Sequence, residues 1–506
     1  MTNNLRVVLN NHLEQEALRE VMPLFCEPFE LSEDGFLGKL VKVAEEYSAS
    51  TDSEFIVRVS VDQLPSLKAM RGQEPSGPVL LETYLLDHCL YSDKVAAQDL
   101  RREMKRQLYL ALAKLTGISW PWGSLTGIRP TQVAREIWLT KEKDQSATLS
   151  ELEEKWFLSS EKAIKGLKVA LAEDAILSEL DHKALMVYAG VPFCPGRCSY
   201  CSFICRDASR QESVLPEYAK AMVQEAEEVF LRLKQPVSAF YMGGGTPTSF
   251  SDEDFDFVLK SILNVLPLSK NAEICVEAGR PDTITDKKLR SMKEAGVTRL
   301  CINPQSMHDT TLEKVGRFHD KDMFLKCLEM ARSMNFEQIN ADLILGLPGE
   351  GATEFLQSVG ELIALDLDSI TLHTLALKRS ARLHEEASET YLPLRFPDPE
   401  MSRAMREADQ ILEQAGYAPY YMYRQKNVRG GLENTGYSKE GKVCIYNVGM
   451  MSDEISIVGL GSGSSSKKVR GRRVERLHNS KDIADYSARI HELAEKKWKF
   501  FDKLDK

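Results

Sequence analysis

The chain has 506 residues, of which 43% are hydrophobic and 28% charged, and its formal net charge at pH 7 is −10. This composition is ordinary for a globular protein with room for two or three domains, and the acidic balance gives no reason to expect a nucleic acid as partner. The N-terminal sequence MTNNLRVVLNNHLEQE has no apolar segment after a basic start. Since no stretch approaches the roughly twenty apolar residues of a membrane span, we expect a cytoplasmic protein.

Residues 1–180 are predicted to form an N-terminal α/β region of unknown role. Two short apolar strands, LRVVLN and EFIVRVSV, precede the helical segment AAQDLRREMKRQLYLALAKLTG. The basic face of that helical segment is interpreted as solvated surface. We find no catalytic constellation in this region.

Residues 181–380 alternate short apolar runs with amphipathic segments, several of which begin with a capping Ser, Thr or Asp. This alternation predicts a parallel sheet with helical crossovers. The six predicted strands are residues 185–191, 237–243, 273–279, 299–305, 339–347 and 369–377. With right-handed crossovers, six such units curl into a partial (β/α)6 barrel, which binds its ligands at the carboxyl ends of the strands. Each functional motif is therefore expected just after a strand.

Residues 381–506 are predicted to form a C-terminal subdomain beside the barrel. A helix, SRAMREADQILEQAG, is followed by the glycine- and serine-rich GLGSGSSS, a basic hairpin-like segment, KKVRGRRVERLHN, and a charged final helix. The predicted fold class is thus α/β, with a partial barrel between an N-terminal α/β region and this subdomain.

Three cysteines occupy the loop after the first barrel strand, with three and then two residues between them: Cys194, Cys198 and Cys201. Three thiolates on one short loop can hold three irons of a four-iron, four-sulfur cluster and leave the fourth iron open to a chelating ligand. The alternative is a zinc site completed by Cys205. Tyr200, one residue before the last of the three, is suited to lie along an adenine ring.

Glycines and polar residues follow the next four predicted strands. Gly243, Gly244 and Gly245 remove side chains where backbone must approach a ligand closely, and their amide and carbonyl groups are suited to hold a zwitterionic amino acid. The polar residues at the three strand ends that follow are Glu277, Gln305 and Asp342. Each alone is explained by a helix cap or a loop hydrogen bond, but their joint occurrence on one rim indicates a binding site.

The cysteine loop VPFCPGRCSYCSF and the later motifs GGGTP, VEAG, NPQS and DLILGLPGE, in this order and spacing, resemble the radical S-adenosylmethionine (radical SAM) superfamily. More narrowly, residues from about 185 to 480 resemble the oxygen-independent coproporphyrinogen III oxidase group. The N-terminal region together with EAGRPDTIT, HTLALKRSARL and YMYRQKN is similar to its HemZ-like subgroup, the coproporphyrinogen dehydrogenase-like proteins.

The resemblance implies two cofactors, a 4Fe-4S cluster on the three cysteines and S-adenosyl-L-methionine. It places around a first S-adenosylmethionine molecule Tyr188, Tyr200, Gly244 and Glu277. It places around a second Gly245, Thr246, Gln305, Arg317, Asp342 and Ala376. It implies no catalytic residue beyond these cluster and cofactor residues.

The implied activity is that of a radical SAM oxidoreductase in porphyrin and haem biosynthesis. A 5′-deoxyadenosyl radical removes hydrogen from the propionates of coproporphyrinogen III, and loss of an electron and carbon dioxide leaves vinyl groups, giving protoporphyrinogen IX. The implied partners are this tetrapyrrole and a low-potential electron donor such as flavodoxin or ferredoxin, with the protein a monomer. Cations considered for the propionates are Arg280, Lys378, Arg379, Arg424 and the cluster from Lys467 to Arg476.

Two departures and three rival functions accompany the resemblance. Some members of the group carry another cysteine where this chain has Phe203, so no role of that cysteine is carried over. Related haem chaperones carry a His-Asn…Tyr-Trp pattern, which is replaced here by Glu433-Asn434…Tyr437-Ser438 and argues against a chaperone. A radical methyltransferase acting on haem and a non-catalytic tetrapyrrole carrier with a structural cluster are the other rivals.

Overall fold

The computed structural model describes residues 3–9, 18–32, 34–48, 54–61, 78–96, 99–127, 129–201, 205–211, 213–376, 381, 396–425, 428–471 and 473–502. The chain divides into two compact units. The first comprises Met1–Leu167, Tyr391–Pro399 and Lys426–Leu432, and the second Lys168–Thr390, Glu400–Gln425 and Glu433–Lys506. The first unit thus includes two segments from late in the chain. The three-part division at residues 180 and 380 stays a prediction.

The first unit is built on a six-stranded sheet with the strand order β2-β3-β1-β4-β5-β6. Its strands are β1 (Asn4–Leu9), β2 (Cys26–Ser32), β3 (Gly35–Leu40), β4 (Phe55–Val61), β5 (Val79–Leu85) and β6 (His88–Val95). Its helices are α1 (Glu45–Ser48), α2 (Leu100–Thr116), α3 (Pro130–Thr140), α4 (Gln145–Glu154) and α5 (Ser160–Ser178), the last of which continues into the second unit. Alternate residues of β1, Leu5, Val7 and Leu9, are buried, as expected for a strand with one face on a core.

The basic side chains of α2 are not all exposed to solvent, contrary to the interpretation from the sequence. Arg106 is only 9% exposed and pairs with Glu103 and Asp93, and Lys105 pairs with Glu20. The pairs with Asp93 and Glu20 join the helix to other parts of the first unit, whereas the pair with Glu103 lies within the helix itself. The interpretation as solvated surface is therefore wrong for Arg106, while Arg101 and Lys114 of the same helix are exposed.

The second unit contains an eleven-stranded sheet with the order β15-β16-β14-β13-β12-β11-β10-β7-β17-β18-β19, and a separate two-stranded sheet of β8 and β9. Its strands are β7 (Leu185–Val191), β8 (Phe193–Cys194), β9 (Arg206–Asp207), β10 (Val237–Gly244), β11 (Leu268–Glu277), β12 (Arg299–Cys301), β13 (Gln338–Leu345), β14 (Ser369–Thr374), β15 (Ala418–Tyr423), β16 (Asn434–Ser438), β17 (Ile457–Leu460), β18 (Ser465–Arg470) and β19 (Arg473–His478). The six predicted barrel strands, β7 and β10–β14, pair in parallel in chain order. The sheet does not close, so the partial barrel is confirmed.

Helices connect the barrel strands and complete the C-terminal part. They are α6 (Leu215–Arg232), α7 (Asp252–Val265), α8 (Asp286–Glu294), α9 (Asp309–Lys314), α10 (Lys321–Ser333), α11 (Ala352–Ala364), α12 (Pro399–Gln414), α13 (Ile445–Met451), α14 (Ile483–Ala488) and α15 (Ile490–Asp502). Ser251, Thr285 and Asp320 cap α7, α8 and α10, each by accepting a hydrogen bond from a backbone N–H in the first turn. The predicted caps at Ser251 and Thr285 are confirmed, whereas α10 is capped by Asp320 and not by Asp322, with which the predicted segment begins.

The C-terminal strands extend the barrel sheet at both edges. β16 pairs antiparallel with β14, whereas β17 pairs in parallel with β7. The hairpin predicted from the basic segment is confirmed as β18 and β19. Across all the helices described here, none is long and apolar enough to cross a membrane.

Candidate functional site

The cysteine loop begins where β8 ends. Cys194 and Cys198 are buried, and Cys201 is partly exposed. β9 pairs with β8, which brings the partly exposed Cys205 to the same loop, where its thiol hydrogen-bonds to Cys194 and Cys201. Within the described ranges, no three His, Cys, Asp or Glu side chains converge in the arrangement of a bound metal. The loop therefore gathers four sulfurs without fixing a coordination geometry.

The surroundings of the cysteine loop favour thiolates. The hydrogen bond from Cys205 lowers the pKa of Cys194, and Thr246 and the charge of Arg280 act in the same direction. The Thr246 hydroxyl lies 3.4 Å from Cys194 Sγ, and Arg280 Nη1 donates to Cys198 Sγ at 3.7 Å. Thiolates are the ligands of iron–sulfur clusters, so this donor set fits a 4Fe-4S cluster.

The glycine run at the end of β10 lies directly against the cysteine loop. A Cβ on Gly245 would come within 2.5 Å of the Phe193 carbonyl oxygen and 3.0 Å of Cys194 Sγ. Gly244 has φ +117°, a conformation that side chains rarely adopt. From the sequence, these glycines are predicted to let the backbone approach a ligand closely. In the structure, the backbone at Gly245 also lies close to Cys194 of the cysteine loop.

Glu277, at the end of β11, stands beside an aromatic stack. Tyr241 donates a hydrogen bond to Glu277 Oε2 at 3.4 Å, and the rings of Tyr188, Tyr241 and Tyr446 stack at centroid distances of 4.7 to 6.3 Å. Burial, reinforced by the charge of Asp342, raises the pKa of Glu277 to about 8. A buried carboxyl with a pKa in this range is characteristic of a functional site.

A cavity of about 380 Å³ lies within the second unit. The predicted site residues that border it are Tyr200, Cys201, Glu277, Gln305, Asp342 and Ala376. Tyr188 lies instead in the aromatic stack, and Gly244, Gly245 and Thr246 lie against the cysteine loop and its neighbours. The barrel rim thus brings six of the thirteen predicted residues around one cavity.

Two buried acceptors near the rim lack partners. Gln305 Oε1 and Asn303 Oδ1 have no hydrogen-bond donor, and Gln305 adopts a positive φ of 70°. Buried polar atoms are normally satisfied, so these oxygens indicate a ligand with hydroxyl or amino donors. Together with the carboxyl groups of Glu277 and Asp342, they fit a cationic amino-acid nucleoside such as S-adenosylmethionine.

Arg317 is buried in protein contacts and is not among the residues that border the cavity. Its Nη2 donates to the carbonyl oxygens of Gly279 and Asn303 at 2.7 and 2.9 Å, and its Nη1 donates to the Tyr200 hydroxyl at 3.1 Å. The guanidinium therefore joins the ends of β11 and β12 to the tyrosine of the cysteine loop. Its predicted contact with a cofactor carboxylate stays a prediction.

Sequence reasoning missed His373 on β14 and the tyrosines opposite. His373 Nε2 lies 3.5 Å from Asp342 Oδ2, and its Nδ1 lies 3.4 Å from the Tyr423 hydroxyl. Burial opposes protonation of His373, but the hydrogen bond and charge of Asp342 outweigh it and raise the pKa of His373. Thr371 and His373 both border the cavity. Because residues two apart on a strand share one face, this spacing is the sequence signal that could have placed His373 at the site.

Three cations considered for the propionates serve the protein's own structure. Lys467 Nζ donates to the carbonyl oxygens of residues 449, 450 and 452, and Lys468 Nζ to those of residues 500 and 501. Arg280 contacts the cysteine loop. Because these groups are committed to internal contacts, they are wrong as substrate cations. Lys378 and Arg379 lie outside the described residues, and Arg424 is buried.

Residues 188–362 match the radical SAM superfamily. The chain is 32% identical to the oxygen-independent coproporphyrinogen-III oxidase-like protein HemZ of Bacillus subtilis, over 90% of this chain and 92% of that protein. It is 36% identical to the haem chaperone HemW of the same organism, over 40% of this chain and 57% of HemW. Coproporphyrinogen III oxidase HemN of Escherichia coli has the same fold, with a TM-score of 0.50 and 20% identity over 64% of this chain and 73% of HemN. The chain therefore belongs to the HemZ family of the radical SAM superfamily, whose cofactors are a four-iron, four-sulfur cluster and S-adenosylmethionine.

Proposed function

We propose that this chain is an oxidoreductase that converts propionate side chains of coproporphyrinogen III to vinyl groups without oxygen, giving protoporphyrinogen IX. The observation that carries the proposal is the cavity bordered both by Cys201 of the cysteine loop and by Glu277, Gln305 and Asp342. When bound, the cofactors supply a 5′-deoxyadenosyl radical, formed by one-electron cleavage of S-adenosylmethionine.

The proposed cluster ligands are Cys194, Cys198 and Cys201. Their loop needs only three thiolates, because the open iron is reserved for the amino and carboxylate groups of S-adenosylmethionine. Support comes from the lowered pKa of Cys194 and from the hydrogen bond that Arg280 donates to Cys198. The lowered pKa favours Cys194 in its anionic form, and the hydrogen bond from Arg280 places a cation beside Cys198.

Cofactor binding is assigned to the rim of the same cavity. The proposed contacts of a first S-adenosylmethionine are Tyr188, Tyr200, Gly244 and Glu277, and those of a second are Gly245, Thr246, Gln305, Arg317, Asp342 and Ala376. The carboxyl groups of Glu277 and Asp342 border the cavity as polar contacts for such a ligand, and Gln305 Oε1 is available to accept a hydrogen bond. Buried tyrosines on the cavity wall, including Tyr420 and Tyr421, keep bulk water away from a reactive radical.

The proposed reaction takes place at a propionate side chain. A hydrogen atom passes from the β-carbon of the propionate to the 5′-deoxyadenosyl radical, which becomes 5′-deoxyadenosine. The carbon radical that remains gives one electron to a one-electron acceptor, and its bond to the carboxylate breaks, so that carbon dioxide leaves and a vinyl double bond forms. Two such rounds give two vinyl groups. The electron donor is proposed to be a low-potential flavodoxin or ferredoxin, and Lys378 and Arg379 remain candidates for contacts with the propionates.

Anaerobic incubation of the cluster-reconstituted chain with S-adenosylmethionine, a low-potential reductant and coproporphyrinogen III tests this function. Mass spectrometry is expected to detect products that have lost one and then two carboxyl groups as carbon dioxide, with 5′-deoxyadenosine formed alongside. Intact propionates in the presence of deoxyadenosine production would contradict the proposed substrate while leaving the radical chemistry in place.

A second candidate function is haem binding and delivery, favoured by the 36% identity to a haem chaperone over 40% of this chain. A carrier would bind haem stoichiometrically and leave coproporphyrinogen unchanged. A haem titration followed by absorbance, run beside the product assay, separates the two functions. If haem is consumed with S-adenosylmethionine instead of retained, a methyltransferase acting on haem becomes the account to test.

A further inference from the structure

Arg280 is a buried arginine whose guanidinium reaches the cysteine loop. It follows Glu277 by three residues at the end of β11 and is 3% exposed. Its Nη1 donates to the carbonyl oxygen of Gly196 at 3.2 Å and to Cys198 Sγ at 3.7 Å. One nitrogen thus contacts both the backbone and a proposed ligand of the cluster.

The other side of the guanidinium is fixed by a carboxylate. Arg280 Nε and Nη2 donate to the two oxygens of Asp282 at 3.0 and 2.9 Å, the parallel geometry of a bidentate pair. Burying a guanidinium is costly unless it is paired, and this carboxylate offsets much of that cost. Because both oxygens of Asp282 face Nε and Nη2, Nη1 is left directed at the cysteine loop.

An aromatic ring covers the same guanidinium. The central carbon of Arg280 lies 5.4 Å from the ring centroid of Phe318, within the range of a cation–π contact. The Phe318 ring also stands so close to Gly196 that a Cβ there would lie 2.5 Å from it, although 67% of Phe318 is exposed. The Phe318 ring therefore contacts both the guanidinium of Arg280 and the cysteine loop at Gly196.

We propose that Arg280 is a positioning residue that fixes the loop of Cys198 and raises the reduction potential of the cluster bound there. Reduction adds negative charge to a cluster, so a nearby cation and an N–H···S hydrogen bond stabilise the reduced state more than the oxidised one. The effect is strong because Arg280 is buried and poorly screened by water and salt. This inference rests on the proposed function, in which Cys198 is a cluster ligand.

The test compares reduction potentials of reconstituted full-length proteins without S-adenosylmethionine, measured by redox titration followed with electron paramagnetic resonance. Arg280→Gln is expected to shift the potential to more negative values, and Arg280→Lys to shift it less because the charge is kept. Asp282→Asn is expected to shift it in the opposite direction, because a negative charge beside the guanidinium is lost. Arg210→Gln is the matched control. The Arg210 side chain is 83% exposed, and its ion pair is with Asp207.

Equal potentials in the wild type, Arg280→Gln and Asp282→Asn, at full iron and sulfide content, would overturn the inference and leave the proposed function intact. If Arg280→Gln fails to hold a cluster, Arg280→Lys and Asp282→Asn decide: shifts of opposite sign support the inference, and unchanged potentials overturn it. A wild-type protein that assembles no cluster would contradict the proposed function itself, and this inference with it.

Discussion

The hydroxyl of Tyr241 donates a hydrogen bond to the carboxyl group of Glu277, 3.4 Å away on the wall of the cavity. The carboxyl is buried among aromatic rings, and the charge of Asp342 adds to the cost of ionising it. Glu277 is therefore held largely protonated at neutral pH until a cationic ligand arrives. That state has consequences for stability and for binding.

The pH dependence of folding is expected to reveal Glu277. Its pKa rises from 4.5 in the unfolded chain to about 8 in the fold, so over this window the folded state holds the proton more tightly and wild-type stability falls as pH rises. Glu277→Gln removes this pH-dependent loss of stability. The free energy of unfolding of the variant, relative to that of the wild type, should therefore increase from about pH 5 to about pH 8. Urea unfolding of the ligand-free chain measures the difference. Parallel pH curves for the two proteins would contradict the account, and Glu294→Gln, at an exposed position at the end of α8, serves as control.

Gly245→Ala is expected to reduce cluster content severely without unfolding the barrel. The added Cβ would meet the Phe193 carbonyl oxygen at 2.5 Å and Cys194 Sγ at 3.0 Å, so the cysteine must move. Iron and sulfide analysis after anaerobic reconstitution measures the loss. Gly360→Ala, in α11 with no neighbouring atom within 4 Å of the new Cβ, should retain the cluster and gain up to about 1 kcal/mol of stability. Full iron content in Gly245→Ala would show that the loop tolerates the displacement.

Cys205→Ala distinguishes a cluster from a zinc site. Cys205 hydrogen-bonds to Cys194 and Cys201, which raises its pKa, and a cluster held by three cysteines does not need it as a ligand. The variant is therefore expected to stay brown, with four irons per chain, after reconstitution. A colourless protein that binds one zinc in the wild type and none in Cys205→Ala would favour the four-cysteine zinc site instead.

The buried pair of Lys497 and Glu225 is expected to hold the last helix, α15, against α6. Lys497 is fully buried, and Glu225 also accepts hydrogen bonds from Gly461, Asn479 and Tyr486. Lys497→Met leaves a buried carboxylate without its cation and should cost about 3–5 kcal/mol in urea unfolding. Lys496→Met, at an exposed neighbouring position, should change stability little. A loss as small as that of the control would show that α15 is anchored by other contacts.

The barrel could be predicted because short strand-like runs rich in apolar residues alternate with amphipathic helical segments from residue 185 to residue 377. β7 has the predicted bounds, Leu185–Val191, since an uninterrupted run buried on both faces leaves little ambiguity. β12 ends at Cys301, four residues before its predicted end, because the chain turns toward Gln305 with its positive φ. A change of backbone direction carries no periodic signal, and the strand end was missed for that reason.

Contacts between distant segments could not be predicted. β17 is only four residues long and contains a glycine, so nothing local indicates that it would pair with β7. Lys467 lies in a run of basic residues typical of surface, yet its ammonium group is enclosed by backbone carbonyls from α13 and the residue after it. The cavity, too, depends on a register that sets Thr371 opposite Asp342 and brings the ring of His373, two residues further along β14, within 3.5 Å of the Asp342 carboxylate.

The most direct test of the central claim measures 5′-deoxyadenosine formation by the wild type, Cys198→Ala and Cys26→Ala under anaerobic, reducing conditions. Cys26 is a buried cysteine of the first unit, so its loss controls for the removal of any thiol from the interior. The account predicts that the wild type and Cys26→Ala cleave S-adenosylmethionine and that Cys198→Ala neither holds a full cluster nor forms deoxyadenosine. Deoxyadenosine formation by Cys198→Ala at the wild-type rate would contradict the assignment of the cluster to this loop.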